Sequence, residues 1–267
     1  MSQQSYTATL AGGLPVEITS HLGTVDVRVD AGATHAVVRV HTTDTEGPCA
    51  DAVRDTVIDE RSGTLRVKVP QLPGGGSHLT FSGGNVVGNI SFAGGGMVVS
   101  SGDVVIGGRK VVENGRVVAQ QGTVVGGAGA GTVTVEVVLP TASSLAVETT
   151  NAELTVRGEV DELAFDSRNG SLQADAARRL DATTHNGSLL VDRIEEELEA
   201  AAHNGSVTIG AYNGRRGAAR THNGDITISA TPASSGQLSA RTHNGNIRLR
   251  GADHLTTRTK THNGRVW

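Results

Sequence analysis

Five histidines stand one residue before an asparagine: His185, His203, His222, His243 and His262. Three residues before these five asparagines, and before Asn151 and Asn169 that lead up to them, the chain runs Glu148, Asp166, Thr183, Ala201, Arg220, Arg241 and Lys260. Repeated imidazoles suit proton exchange or metal binding at Zn–N distances of about 2.0–2.1 Å. Repeated cations suit phosphate- or carboxylate-bearing partners. Arg220, Arg241 and Lys260, flanked by His222, His243 and His262, therefore form the candidate anion-binding face. A metal needs further ligands, and two residues after the asparagines come Ser188, Ser206, Asp225 and Asn246. No carboxylate or thiol set completes the histidines, so neither a metal nor a cofactor is assigned.

The spacing of the asparagines says what must position these groups. They are Asn151, Asn169, Asn186, Asn204, Asn223, Asn244 and Asn263, separated by 18, 17, 18, 19, 21 and 19 residues. That is the period of one coil of a solenoid. Six before each stand Leu145, Leu163, Leu180, Leu198 and Leu238, with Gly217 and Thr257 as exceptions. Three after stand Leu154, Leu172, Leu189, Val207, Ile226, Ile247 and Val266. Apolar and polar positions alternate with period two, which is strand chemistry. Each unit reads as strand, Asn-Gly corner, strand and looser return, and stacked units share one core. The parity places the asparagines inward, as an amide ladder at the spacing of neighbouring strands, with glycine where a positive φ is required. An antiparallel meander of type I′ hairpins is the rival architecture.

The N-terminal part carries the register more weakly. Val16, Ile18, Ser20, His21, Leu22, Gly23, Val25 and Val27 fit it with Leu22 in the asparagine column; Ile58, Arg61, Ser62, Gly63, Leu65 and Val67 fit with Ser62 there. The expected organisation is divergent coils over 1–73, a Gly/Val-rich insertion over 74–131 and the regular solenoid over 132–267. The insertion holds 18 of the 36 glycines, with Val-Val pairs starting at 86, 98, 104, 111, 117 and 124. Short strands and tight turns, a narrower coil, or a mobile loop all suit it. Its glycine runs are not phosphate loops, since no Lys-Ser/Thr follows them.

Composition narrows the function classes. Aromatics are 2% of the chain, which suits a thin aliphatic core. Residues 201–267 hold nine Arg/Lys against two acids, a net +7 in a chain of net −4, so the first 200 residues carry −11. Stacking in sequence order would give an acidic body and a basic end, suited to an anionic polymer or lipid or to another copy of the chain. Base-stacking platforms for specific nucleic-acid binding are missing. A β-helix enzyme acting on polysaccharide needs carboxylates converging in a groove, and here they are dispersed. Cys49 is the single cysteine, which excludes an internal disulfide. Neither a basic-then-apolar leader nor an apolar run of about 20 residues is visible. The expected location is cytoplasmic, with peripheral membrane contact open.

The phrases Thr-His-Asn-Gly-Asp-Ile-Thr-Ile at 221–228 and Thr-His-Asn-Gly-Asn-Ile-Arg-Leu at 242–249, with the lead-in Val-Glu-Val-Val-Leu-Pro at 135–140, resemble the bacterial β-strand-repeat proteins called "putative adhesins", a domain of unknown function. The resemblance covers about 132–267 well and the N-terminal part loosely. It implies a β-helical fold and adhesin-like binding, in some relatives alongside cell-envelope stress systems, and it supplies no catalytic residues. The reading is an all-β solenoid that binds or scaffolds an unknown protein or an anionic polymer or lipid. The alternatives are a self-assembling rod resembling bactofilin-type β-helices, stacked end to end, and a polysaccharide-active β-helix enzyme.

Overall fold

Alternation of apolar and polar residues becomes, in the computed structural model, a set of stacked parallel strands. Residues 1–71 and 132–267 are described, together with the backbone of five short strands between them. The chain divides into two compact units, residues 1–75 with 130–267 and residues 76–129.

The first unit begins with β1 (Ser2–Ala11), β2 (Pro15–Val29), β3 (His35–Thr42), helix α1 (Pro48–Arg54), β4 (Val57–Arg61) and β5 (Thr64–Lys68). The second unit holds β6 (Ile90–Ala93) paired antiparallel with β7 (Gly96–Val99). Its β8 (Val104–Ile106), β9 (Arg109–Glu113) and β10 (Arg116–Val117) form an antiparallel sheet of three. Val98, Val105, Val111 and Val117 stand in these strands. The turn residues between them, the Val-Val pairs at 86 and 124 and the flanking glycine runs lie outside the described residues.

The chain re-enters the first unit as β11 (Thr134–Leu139). The coils follow as β12 (Ser144–Ser167), β13 (Leu172–Asn186), β14 (Leu189–Asn204), β15 (Val207–Tyr212), β16 (Arg216–Asn223), β17 (Ile226–Ala230), β18 (Gln237–Asn244), β19 (Ile247–Arg250) and β20 (Thr256–Lys260). Together they make a β-solenoid of about six turns. Parallel register holds column by column: Leu145 pairs Val16, Leu163 pairs Leu180, Leu180 pairs Leu198, and Leu198 pairs Gly217. Leu154, Leu172, Leu189, Val207, Ile226 and Ile247 are buried in one continuous core. The Gly217 exception has a steric cause. Tyr212 is fully buried, and a Cβ on Gly217 would lie 3.0 Å from its hydroxyl and 2.5 Å from Leu238 Cδ1. The tyrosine ring takes the volume a leucine fills in other coils.

The N-terminal end departs from the expected stack in two ways. First, axial order is not sequence order there. β5 pairs the first half of β2 (Val16 with Leu65) and β11 pairs its second half (Val25 with Val135), so distant segments complete one layer. Beyond it the pairing turns antiparallel, β11 to β3 to β1, with α1 contributing buried Cys49, Ala50, Ala52 and Val53. Second, residues 57–68 are a hairpin, not a coil with Ser62 in the asparagine column. Ser62 (φ 52°) and Gly63 (φ 80°) are both left-handed, the backbone of a type I′ turn. The rival hairpin reading therefore holds locally, at the Ser-Gly pair alone among the positions aligned with the corners. The Glu60 carboxylate accepts from the Thr9 and Leu10 N–H groups, at 2.7 and 3.2 Å, and from the Thr9 hydroxyl. The bond from Thr9 N–H, first among these, holds Glu60 below the usual carboxylate range.

Candidate binding face

Each corner is built from hydrogen bonds that join one coil to the next. The residue two before the asparagine points inward and is Thr149, Ser167, Thr184, Ala202, Thr221, Thr242 and, half-buried, Thr261. Thr184, Thr221, Thr242 and Thr261 donate to the carbonyls of Gly170, Gly205, Gly224 and Gly245 in the preceding coil, at 2.8–3.0 Å. Histidine and asparagine then follow as two consecutive outward residues, because the bend breaks the alternation. This corrects the inward placement of the asparagines. Asn169, Asn186, Asn204, Asn223, Asn244 and Asn263 are exposed, and Asn151 is half-buried. Their amides nonetheless form a one-way chain in which each Nδ2 donates to the Oδ1 one coil earlier, at 2.7–2.8 Å from Asn169 to Asn263.

The glycine after each asparagine from Asn169 onward, where Asn151 has Ala152 instead, has a reason other than the expected positive φ. A Cβ on Gly170, Gly187, Gly205, Gly224, Gly245 or Gly264 would sit 1.8–2.1 Å from a carbonyl oxygen of the coil before. Gly224 and Gly245, at φ 159° and 157°, are close to extended. Close approach, not handedness, demands glycine.

A further ladder, two residues past the asparagines, escaped the sequence reading. Ser171, Ser188, Ser206, Asp225 and Asn246 each accept the backbone N–H of the matching residue one coil on, at 2.7–3.4 Å. The visible signal was a column of short side chains, all acceptors.

On the outer side of this corner the five imidazoles stack face to face. Their centroids lie 4.6, 4.9, 4.8 and 4.7 Å apart, and the planes are within 6° of parallel. His21, in the matching position of β2, is bonded instead to Thr150 Oγ1 at 3.0 Å. Two ligands on one zinc are at most about 4.2 Å apart with their lone pairs converging. Parallel rings at these separations aim their lone pairs side by side, so a shared metal would require them to turn. Among the described residues no three His, Cys, Asp or Glu converge on a point.

Arg220, Arg241 and Lys260 lie in register on β16, β18 and β20, and all three are exposed. Thr221 and Thr242, buried, separate the arginines from outward His222 and His243, and Lys260 and His262 repeat the pattern. The structure thus brings the six candidate residues onto one surface. Among the described residues none of the three cations lies within 4.0 Å of a carboxylate. Like charges one coil apart repel by about 0.9 kcal/mol at the dielectric constant of water, and less with salt. Arg248, beyond the corner, stacks 4.8 Å over the Trp267 ring.

A cleft of 660 Å³ on the return side is lined in part by Arg179, Glu196, Glu197, Arg215 and Arg216. Its acids are already bound, Glu196 to Arg179 and Glu197 to Arg216, at 3.2 and 3.3 Å. They do not form the opposed, unpaired carboxylates that glycoside hydrolysis uses. No helix of the described residues is long and apolar enough to cross a membrane.

A family model described as Toastrack DUF4097 matches residues 16–265. No curated protein matches the chain. Among solved structures it is similar to a "putative adhesin" from Bacteroides fragilis, at 12% identity over 99% of this chain and 96% of that one, with a TM-score of 0.49. A "putative adhesin" from Parabacteroides distasonis is 14% identical over 99% and 96%, with a TM-score of 0.44. A "putative lipid binding protein" from Parabacteroides distasonis is 10% identical over 100% and 97%, also with a TM-score of 0.44.

Proposed function

We propose a binding role from one premise: the chain belongs to the Toastrack DUF4097 family. In this reading it is a non-enzymatic, adhesin-like β-solenoid that holds an anionic partner through Arg220, Arg241 and Lys260, with His222, His243 and His262 beside them. The carrying observation is the column of cations in register, exposed and, among the described residues, without a carboxylate partner. A fold that stacks like charges one coil apart, while pairing Arg178, Arg179, Arg193 and Arg216 elsewhere, leaves a surface complementary to negative charge.

The test is retention of the full chain on phosphocellulose and on vesicles of anionic lipid across a salt series. Retention should fall steeply as salt rises. The triple change Arg220→Glu, Arg241→Glu, Lys260→Glu should abolish it without changing the circular dichroism spectrum. Retention that ignores salt and survives the triple change would refute the reading.

A further inference from the structure

We propose that the anionic partner of this basic column is the acidic half of the same face on a second copy of the chain, docked face to face with the coils running in opposite directions. The inference rests on the binding reading above and names its partner.

Register pairing stacks eight strand segments on this face, from β2 through β12, β13, β14, β16 and β18 to β20, with β12 contributing two. The column three before the asparagines then reads Thr19, Glu148, Asp166, Thr183, Ala201, Arg220, Arg241, Lys260. A two-fold axis lying in the interface along the strand direction reverses the order of coils and keeps each column facing itself. Placed between Thr183 and Ala201, it sets Asp166 against Arg220 of the second copy and Glu148 against Arg241 of the second copy. By symmetry both contacts occur twice, and two small residues meet at the centre. The column seven before the asparagines has the same antisymmetry. Glu162 meets Arg216 of the second copy, and Arg179 meets Glu197 of the second copy, as additions to the Arg179–Glu196 and Arg216–Glu197 pairs that each copy already holds.

Shape follows charge. Between the two columns the acidic half carries the small residues Ala146 and Ala164, and Glu148, Asp166 and Asp181 rim a depression of 470 Å³ there. The basic half presents long, exposed arginines at the positions that the axis carries over this depression. Eight strand segments at about 4.8 Å and seven residues at about 3.3 Å give a face of roughly 890 Å², near the roughly 800 Å² per partner of a standard interface. One like-charge meeting remains, Asp181 with Glu199 of the second copy, and the histidine column meets itself. Because the axis is two-fold, assembly closes at two copies, whereas end-to-end stacking would continue without limit.

The experiment measures the mass of the full chain by sedimentation equilibrium at low and high salt. A dimer at low salt that dissociates as salt rises is expected. Glu148→Gln/Asp166→Asn should be monomeric yet still retained on phosphocellulose, because its basic column is intact. Arg220→Glu/Arg241→Glu and Glu148→Arg/Asp166→Arg should each be monomeric alone and should form a one-to-one heterodimer when mixed, since every crossed contact is then restored. Asp181→Asn/Glu199→Gln should raise the salt concentration at which the dimer dissociates. A wild-type chain that stays monomeric at low salt, a mixture of folded charge-reversal variants that fails to associate, or growth beyond two copies would each overturn the proposal. If phosphocellulose retention persists in any of these cases, the binding reading survives alone.

Discussion

At the Asn-Gly corner successive coils touch through an unbroken column of glycines, whereas on the return side of the same coils the backbone hydrogen bonds are joined by links between long side chains. A Cβ on Gly205 would lie 1.8 Å from the Gly187 carbonyl oxygen. On the return side Arg178 reaches both Asp161 and Glu196, Arg193 reaches Glu159, and Asn213 donates to Glu195. The extra residues of the 21-residue coil are placed there, in the loop between Ala230 and Gln237. Contact between backbones tolerates one residue type and repeats it. Contact through long side chains tolerates many residue types, several lengths and both charges.

The largest expected effect tests this contrast directly. Gly205→Ala must push two coils apart, because the obstructing atom is backbone and has nowhere to move. Overpacking of this severity should cost at least about 3 kcal/mol. Gly210→Ala, on the return side, would place its Cβ 2.8 Å from the Asp192 carbonyl oxygen and should lose clearly less. Urea unfolding of both variants checks the order, and equal losses would break the comparison.

A second test lies inside the core beside the return. Tyr212 is buried with no hydrogen-bond partner for its hydroxyl among the described residues, and desolvation, with the Glu197 charge adding, pushes its pKa up to about 12. The neutral form is favoured on folding, so its share of stability is intact below the ordinary tyrosine value near 10. It is lost as pH rises from there towards 12, on the order of 2 kcal/mol in all. Tyr212→Phe should remove that alkaline loss and be neutral or stabilising at pH 7, since it deletes an unsatisfied group. Gly217→Leu, which restores the leucine column, should destabilise by about 1–3 kcal/mol and should recover when Tyr212→Ala is added.

Much of the coil was legible because period-two burial and a repeated corner leave traces in residue type. Leu145, Leu154 and their columns fell where the pattern put them. The orientation of the asparagines was not legible, because alternation counts residues and cannot see that a bend turns His222 and Asn223 to the same side. Ser62 was misassigned for a related reason: Ser-Gly at the right spacing fits both a corner and a type I′ turn, and only pairing partners tell them apart. The place of β11 outside β2 depends on contacts between segments more than 100 residues apart, which no local pattern records. On the candidate face, residue type revealed Arg220, Arg241 and Lys260. That no carboxylate of the described residues pairs with them is a fact of three-dimensional packing.

The inward column of the corner supplies its own control. Thr184, Thr221 and Thr242 bond the preceding glycine carbonyl, whereas Ala202, buried in the same column, has no hydroxyl to give to Gly187. Ala202→Thr should therefore stabilise the fold, and Thr221→Val should destabilise it, each by about 1 kcal/mol. Asn223→Ala, at the exposed amide chain, should lose no more than this, because water can solvate the two neighbours left without a partner. Thermal melts of the three variants give the order. A loss for Asn223→Ala well above that for Thr221→Val would show that the exposed amide chain, and not the buried hydroxyls, dominates the corner.

The smallest effect belongs to the return side. Glu196 is held below the usual carboxylate range, chiefly by the hydrogen bond from Arg178, whose charge adds to it together with a second bond from Arg179. The folded value is depressed, so the contribution is present above the ordinary carboxylate pKa and fades as pH falls through the lowered one. Glu196→Gln should therefore lower the urea midpoint slightly at pH 7, and the difference from wild type should vanish in strong acid. High salt should shrink it as well, since the pair is exposed to solvent and screened. Arg178 spans three coils through Asp161 and Glu196, so Arg178→Ala should exceed Glu196→Gln while remaining well below Gly205→Ala. If Glu196→Gln instead rivalled the glycine change, side-chain links rather than backbone contact would set the spacing of the coils, and the contrast between the two sides would be lost.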